Sequence, residues 1–253
     1  MNIKSVKAFL LTAVLFMLTC TANAAVKENY FQKDNWNKNR HAVVKGSIDS
    51  NIDPMLMISF ASMGTRFNES ARTKIPGMTA GGLGDFTKGT FDSMVKEYGH
   101  KYGLTLANAD RFNPYHASVM AGEYMNWNKR YLERRLKRNI TDGEIYMAHF
   151  LGAGGASRVL RAPNNSLITN HISDAARTNN LNMFKQNGRI MTVGQFKQSM
   201  ENRVNDHKLA YEKPAKQYIA QYKREQYVKD LRNTVLAKLD NFTSGKQLIA
   251  LIS

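Results

Sequence analysis

Apolar residues recur at helical spacing over most of this chain, and no stretch alternates apolar and polar residues for long. Residues 55–63 are apolar almost all round, which predicts a buried helix. Asp53-Pro54 opens it: the carboxylate can accept from first-turn amides, and proline suits the first helical position. Further helices are predicted over 87–98, 116–138, 142–151, 153–161 and 192–204, with Thr141 and Glu144 spaced for a capping box. Residues 213–239 read as one long helix, with Tyr218, Tyr222, Leu231, Val235 and Leu239 near helical spacing. Residues 25–48 are polar and Asn/Lys-rich without a sustained period, and read as a linker or loosely packed arm. Residues 74–84 hold Pro76, Gly77, Gly81, Gly82 and Gly84, the composition of a loop with unusual backbone angles. The predicted class is all-α, with an extra long C-terminal helix.

Composition narrows the possibilities. The chain of 253 residues is 43% hydrophobic and 22% charged, which excludes a wholly disordered chain and a multi-span membrane protein. No internal repeat argues for a solenoid. The net charge of +16 favours a polyanionic partner: nucleic acid, anionic lipid or wall polymer. Lys4 and Lys7, the apolar run 8–18 and Ala22-Asn23-Ala24 have the make-up of a signal peptide cleaved before Ala25. Lipoprotein processing at Cys20 is the rival, disfavoured by Thr19 before it. The apolar run is short against the roughly 20 residues that span a bilayer. Cleavage at Ala24 would remove the single cysteine, and with it any disulfide, Cys-ligated zinc or thiol nucleophile. The expected location is periplasmic or secreted, so nucleic acid is not an expected partner. The basic run 129–138 then reads as a solvated face. His100, His116 and His171 lack metal-ligand spacing, and no cofactor or metal is expected.

One segment is more specific. Residues 143–160, Gly-Glu-Ile-Tyr-Met-Ala-His-Phe-Leu-Gly-Ala-Gly-Gly-Ala-Ser-Arg-Val-Leu, resemble the third motif of the soluble lytic transglycosylases, in the branch found in alphaproteobacteria and phages. In register with it, residues 52–61 resemble the family's opening helix, Gly82-Leu83 its Gly-Leu turn and residues 113–124 its second helix block. Residues 175–180 and 183–193 resemble the closing segment of the branch. The resemblance implies a lysozyme-like domain over 49–204, between a signal peptide (1–24), a basic linker (25–48) and a basic helical extension (205–253). It also implies peptidoglycan glycan strands as partner, held by Gly64, Phe67, Gly82, Leu83, Met120, Tyr124, Tyr146, His149 and Phe150. Tyr124, Tyr146 and Trp127 are the rings proposed to stack on sugars.

The family's catalytic residue is a glutamic acid at the end of the opening helix, which protonates the glycosidic oxygen so that a 1,6-anhydro product forms. Gly64 stands at that position, while Phe67, Asn68 and Ala71 stay in register. Two carboxylates lie close by. Glu69 is five residues on, about 500° around a helix and so on another face. Asp85 replaces the glutamine of the family's turn. As an exposed loop residue it is expected to ionise near its ordinary pKa, lowered further if Arg66 lies beside it.

The favoured expectation is therefore a catalytically degenerate, peptidoglycan-binding domain. The alternatives are an active lytic transglycosylase with a relocated acid, Glu69 before Asp85, and an envelope assembly or inhibitory factor acting through residues 205–253. That third reading brings in an envelope or phage protein as partner. The C-terminal helix is also a candidate for peripheral membrane contact.

Overall fold

The computed structural model describes residues 34–75 and 77–243, with side chains described to residue 237. The expected signal peptide, the first part of the expected linker and Pro76 lie outside the described residues. The chain divides into two compact units, the first running to Tyr211 and the second starting at Glu212. Among the described residues no helix is long and apolar enough to cross a membrane.

Seven α-helices make up most of the described chain: α1 (Trp36–Asp49), α2 (Pro54–Thr65), α3 (Lys88–Tyr98), α4 (Pro114–Leu136), α5 (Asp142–Arg161), α6 (Asp174–Asn179) and α7 (Val193–Thr243). The class is all-α, as the sequence predicts. The start signals work as expected. Asp53 accepts from the Met55 amide, and Thr141 and Glu144 close a reciprocal capping box on α5. The break expected between 151 and 153 is a kink at Gly152, whose φ of 73° leaves the helical region.

Three expectations need correction. The second half of the supposed linker is the helix α1, which buries Trp36, Val43 and Val44 in the core. The helices expected over 192–204 and 213–239 form the single element α7, which continues through Pro214. A small hairpin, β1 (Lys185–Gln186) against β2 (Arg189–Ile190), adds a strand pair that the sequence reading lacked. Its two-residue turn, Asn187-Gly188, has both φ angles positive, the geometry that Asn-Gly favours.

Helix α4 is the centre of the first unit and packs against α1, α3 and α5. Its crossing with α1 is close because two glycines allow it. A methyl group on Gly46 would run into the Ser118 side chain, and one on Gly122 would lie 2.6 Å from Ser50 Cβ. Gly46→Ala should therefore destabilise the protein by about 1–3 kcal/mol, because a well-packed crossing yields poorly to added bulk. A lower urea midpoint at unchanged slope is the expected reading. Gly89→Ala on α3, where an added methyl meets nothing within 4 Å, is the control and should leave the midpoint unchanged or raise it.

Candidate functional site

Helix α2 ends in a turn that lifts the chain towards a cavity. Arg66 and Phe67 both take left-handed backbone angles (φ 52° and 56°), uncommon for non-glycine residues and costly for a bulky one. Packing holds them there. The Phe67 ring is 0% exposed and meets Trp36 and Tyr211 edge-on at 5.3 and 5.1 Å. The Asn39 side-chain amide donates to the Phe67 carbonyl at 2.7 Å. Phe67, expected at the substrate, is thus a core residue on the far side of its own turn.

The next loop is a tight reversal closed by backbone pairing between Gly81 and Phe86. Gly82 has a φ of 71°, and a side chain there would strike the Arg111 carbonyl. A methyl group on Gly81 would lie 2.6 Å from the Ala71 carbonyl. Arg111 also donates to the carbonyls of Thr79 and Phe86, the latter at 3.3 Å, and its guanidinium lies 4.9 Å from the Phe112 ring centre. So clamped, the loop turns Leu83, Gly84 and Asp85 inward.

These residues line a cavity of about 400 Å³ with α2 and α5. Gly64, Leu83, Asp85, Tyr146, His149 and Phe150 meet there. Phe67, Gly82, Met120 and Glu69 do not line it. Met120 is buried in the helix packing, and Gly82 is backbone wedged against Arg111. Tyr124 borders the space from behind, its ring edge-on to His149 at 6.0 Å.

Gly64 and Asp85 face each other: a Cβ added to Gly64 would stand 3.6 Å from the Asp85 Cβ. Asp85 is the one carboxylate among the described lining residues. Its surface is open to the cavity space, yet the surrounding protein desolvates it enough to raise its pKa above the ordinary value. The expected exposure holds, while the shift runs upward where an ordinary or lowered pKa was expected. Burial is the cause of the Asp85 shift, and the Arg66 charge acts to lower the pKa of Asp34. Desolvation also acts on His149, pushing its pKa down to about 4, so the imidazole is neutral near pH 7. That ring lies near-parallel to Tyr146 at 6.3 Å and edge-on to Phe60 at 5.6 Å. Burial raises the Tyr146 phenol pKa; the Arg203 charge lowers it and that of Asp85 raises it, so the hydroxyl sits within reach of both fields. Arg72 brings positive charge to the lining, with its guanidinium 4.0 Å from the Phe112 ring centre.

Glu69 is placed differently. Its carboxylate is paired with Lys38 and accepts from the Asn39 side chain at 2.6 Å. Desolvation raises its pKa, but these two hydrogen bonds, one from its own backbone amide and the Lys38 charge together outweigh that and hold the group below its ordinary value. It is an ionised latch between the loop and α1. Among the described residues, no group of three or more His, Cys, Asp or Glu side chains converges as a metal site.

A second space, about 570 Å³, lies between α3, α4 and the residues after the Gly152 kink. Tyr124, Trp127 and Tyr131 line it, opposite Thr90, Ser93 and Glu97.

The chain matches no protein-family model. Among solved structures it is similar to an inactive mutant of the lytic transglycosylase Slt from Pseudomonas aeruginosa, with 14% sequence identity and a TM-score of 0.40. The match covers 66% of this chain and 24% of that one, so this chain corresponds to about a quarter of that enzyme's length.

Proposed function

We propose that this is an exported, lysozyme-like domain whose cavity takes a glycan strand of peptidoglycan, and that Asp85 is the acid that cleaves it. The observation that carries the reading is the one carboxylate among the described lining residues, directly opposite Gly64 and with a raised pKa. The sequence resemblance assigns the acid to position 64. A carboxylate offered from the facing loop would serve the same glycosidic bond. A protonated Asp85 would give its proton to the leaving glycosidic oxygen. The resulting carboxylate would then take the proton of the N-acetylmuramoyl 6-hydroxyl as that oxygen closes on C1, leaving a 1,6-anhydro end and a restored acid. Leu83, Tyr146 and Phe150 give the sugar apolar walls, and neutral His149 can donate or accept one hydrogen bond.

Gly64 itself favours a second reading, in which the domain holds the strand without cutting it. Digests of purified peptidoglycan analysed for anhydro-muropeptides separate the two. In the first reading Asp85→Asn lowers turnover by about 100- to 10,000-fold while retention on insoluble peptidoglycan persists. Glu69→Gln changes neither, because that carboxylate is engaged with Lys38 and Asn39. A wild-type protein that is retained but releases no anhydro product supports the second reading. Activity lost in Glu69→Gln and kept in Asp85→Asn would overturn the assignment of the acid.

The pH profile has a defined sign. A proton donor acts only while protonated, and the Asp85 pKa is shifted up. Turnover should hold to a higher pH than an ordinary aspartate permits and fall as pH rises through the raised value. The His149 proton is gained only near pH 4, so that group contributes nothing to the fall above pH 6.

A further inference from the structure

The Tyr124–Trp127–Tyr131 groove takes no part in the cleavage proposed above, although the sequence reading offers Tyr124 and Trp127 as sugar-stacking rings. From its geometry we infer that it is a second saccharide-binding site, which stacks a neutral stretch of glycan outside the cavity.

The three rings stand on one side of α4 at steps of three and four residues, where helical side chains line up. Their planes are nearly parallel. Tyr124 and Trp127 differ by 9° at 6.2 Å between centres, and Trp127 and Tyr131 by 21° at 5.6 Å. Parallel rings make a ladder. A cage for an organic cation needs rings that face one another around a point, and this groove lacks that arrangement. A ladder suits a ligand that presents successive flat apolar faces, as pyranose rings do with their C–H groups. The opposite wall carries acceptors for the sugar hydroxyls: the Ser93 hydroxyl, whose proton goes to the Gly89 carbonyl at 2.8 Å, the Thr90 hydroxyl, paired with Thr87 at 2.9 Å, and the Glu97 carboxylate, which bonds Tyr98 and repels anions. Space is present on both walls, since a Cβ added to Gly89 or Gly154 would meet nothing within 4 Å. The groove also adjoins the cavity through one residue. Tyr124 lines the groove, and its ring touches His149, which lines the cavity. In α5, Phe150 faces the cavity while Ala153 and Gly154, just past the Gly152 kink, face the groove.

The choice of ligand rests on the glycan reading of the cavity, but the test does not. The chain has two tryptophans. Trp36 is 3% exposed and packed against Phe67 and Tyr211, so ligand-dependent emission reports on Trp127. The probe is chitotetraose, the neutral β-1,4 tetramer of N-acetylglucosamine, titrated into the full chain with emission and calorimetry read together. A saturable emission change is expected. It should vanish in Trp127→Phe while calorimetric binding remains, and persist in Asp85→Asn; calorimetric affinity should weaken by about tenfold or more in Trp127→Ala and Gly89→Leu. Circular dichroism confirms that each variant is folded.

Undiminished calorimetric binding by Gly89→Leu, or an emission change that survives in Trp127→Phe, overturns the proposal. So does a response to tetramethylammonium with none to the tetramer, which would mark a cation site. If the tetramer binds here while peptidoglycan is neither retained nor cut, the groove stands and the cavity reading fails. If peptidoglycan is retained and cut while Trp127 emission stays flat and Gly89→Leu has no effect, the groove proposal fails alone.

Discussion

The candidate site depends on how closely three stretches of backbone can approach one another. The loop carrying Leu83 and Asp85 is wedged between the Ala71 and Arg111 carbonyls, with no room for a side chain at Gly81 or Gly82. A loop held by van der Waals contact on both sides cannot drift, so Asp85 keeps one place without a hydrogen bond to fix its carboxylate. The same kind of contact recurs deeper, where α1 and α4 cross at Gly46 and Gly122. Close approach of backbones brings a large fraction of neighbouring atoms into dispersion range, and packing of this kind resists small displacements.

A second constraint acts on the side chains. The Arg66–Phe67 turn carries two strained backbone angles, stabilised by burial of Phe67 against Trp36 and Tyr211 and by the Asn39 and Lys38 contacts from α1. Local strain of about 1–3 kcal/mol per residue persists only where its surroundings impose it. Here α1 imposes it, which gives a segment that reads as a polar arm a direct part in shaping the cavity.

Much of this was legible in the sequence. Asp53-Pro54 and the Thr141/Glu144 pair mark helix starts because each signal is local: one side chain satisfies amides two or three residues away. The apolar run of α2 and the glycine-rich loop were equally plain. Helix α1 was not, because its core contacts come from Trp36, Val43 and Val44 among many polar residues, too sparse to set a period. The Asn187-Gly188 signal was there to be read, but its flanking strands have only two residues each. Nor could spacing place Glu69 or Asp85. Their roles follow from partners 30 residues back on α1 in one case, and from a facing helix end in the other. The Arg66 charge likewise acts on Asp34, a partner that spacing along the chain could not name.

The make-up of the cavity lining separates two stages of capture. The chain carries a large positive excess, of which Arg72 brings a part to the cavity lining; beside it the imidazole is neutral and burial shifts the Asp85 pKa up. Long-range attraction therefore acts on a polymer before it arrives, over distances that salt can shorten, while fit and stacking act only after it has docked. For a ligand of this cavity, ionic strength would tune how often encounters happen, and residence time would rest on shape and on the Arg72 charge at the wall.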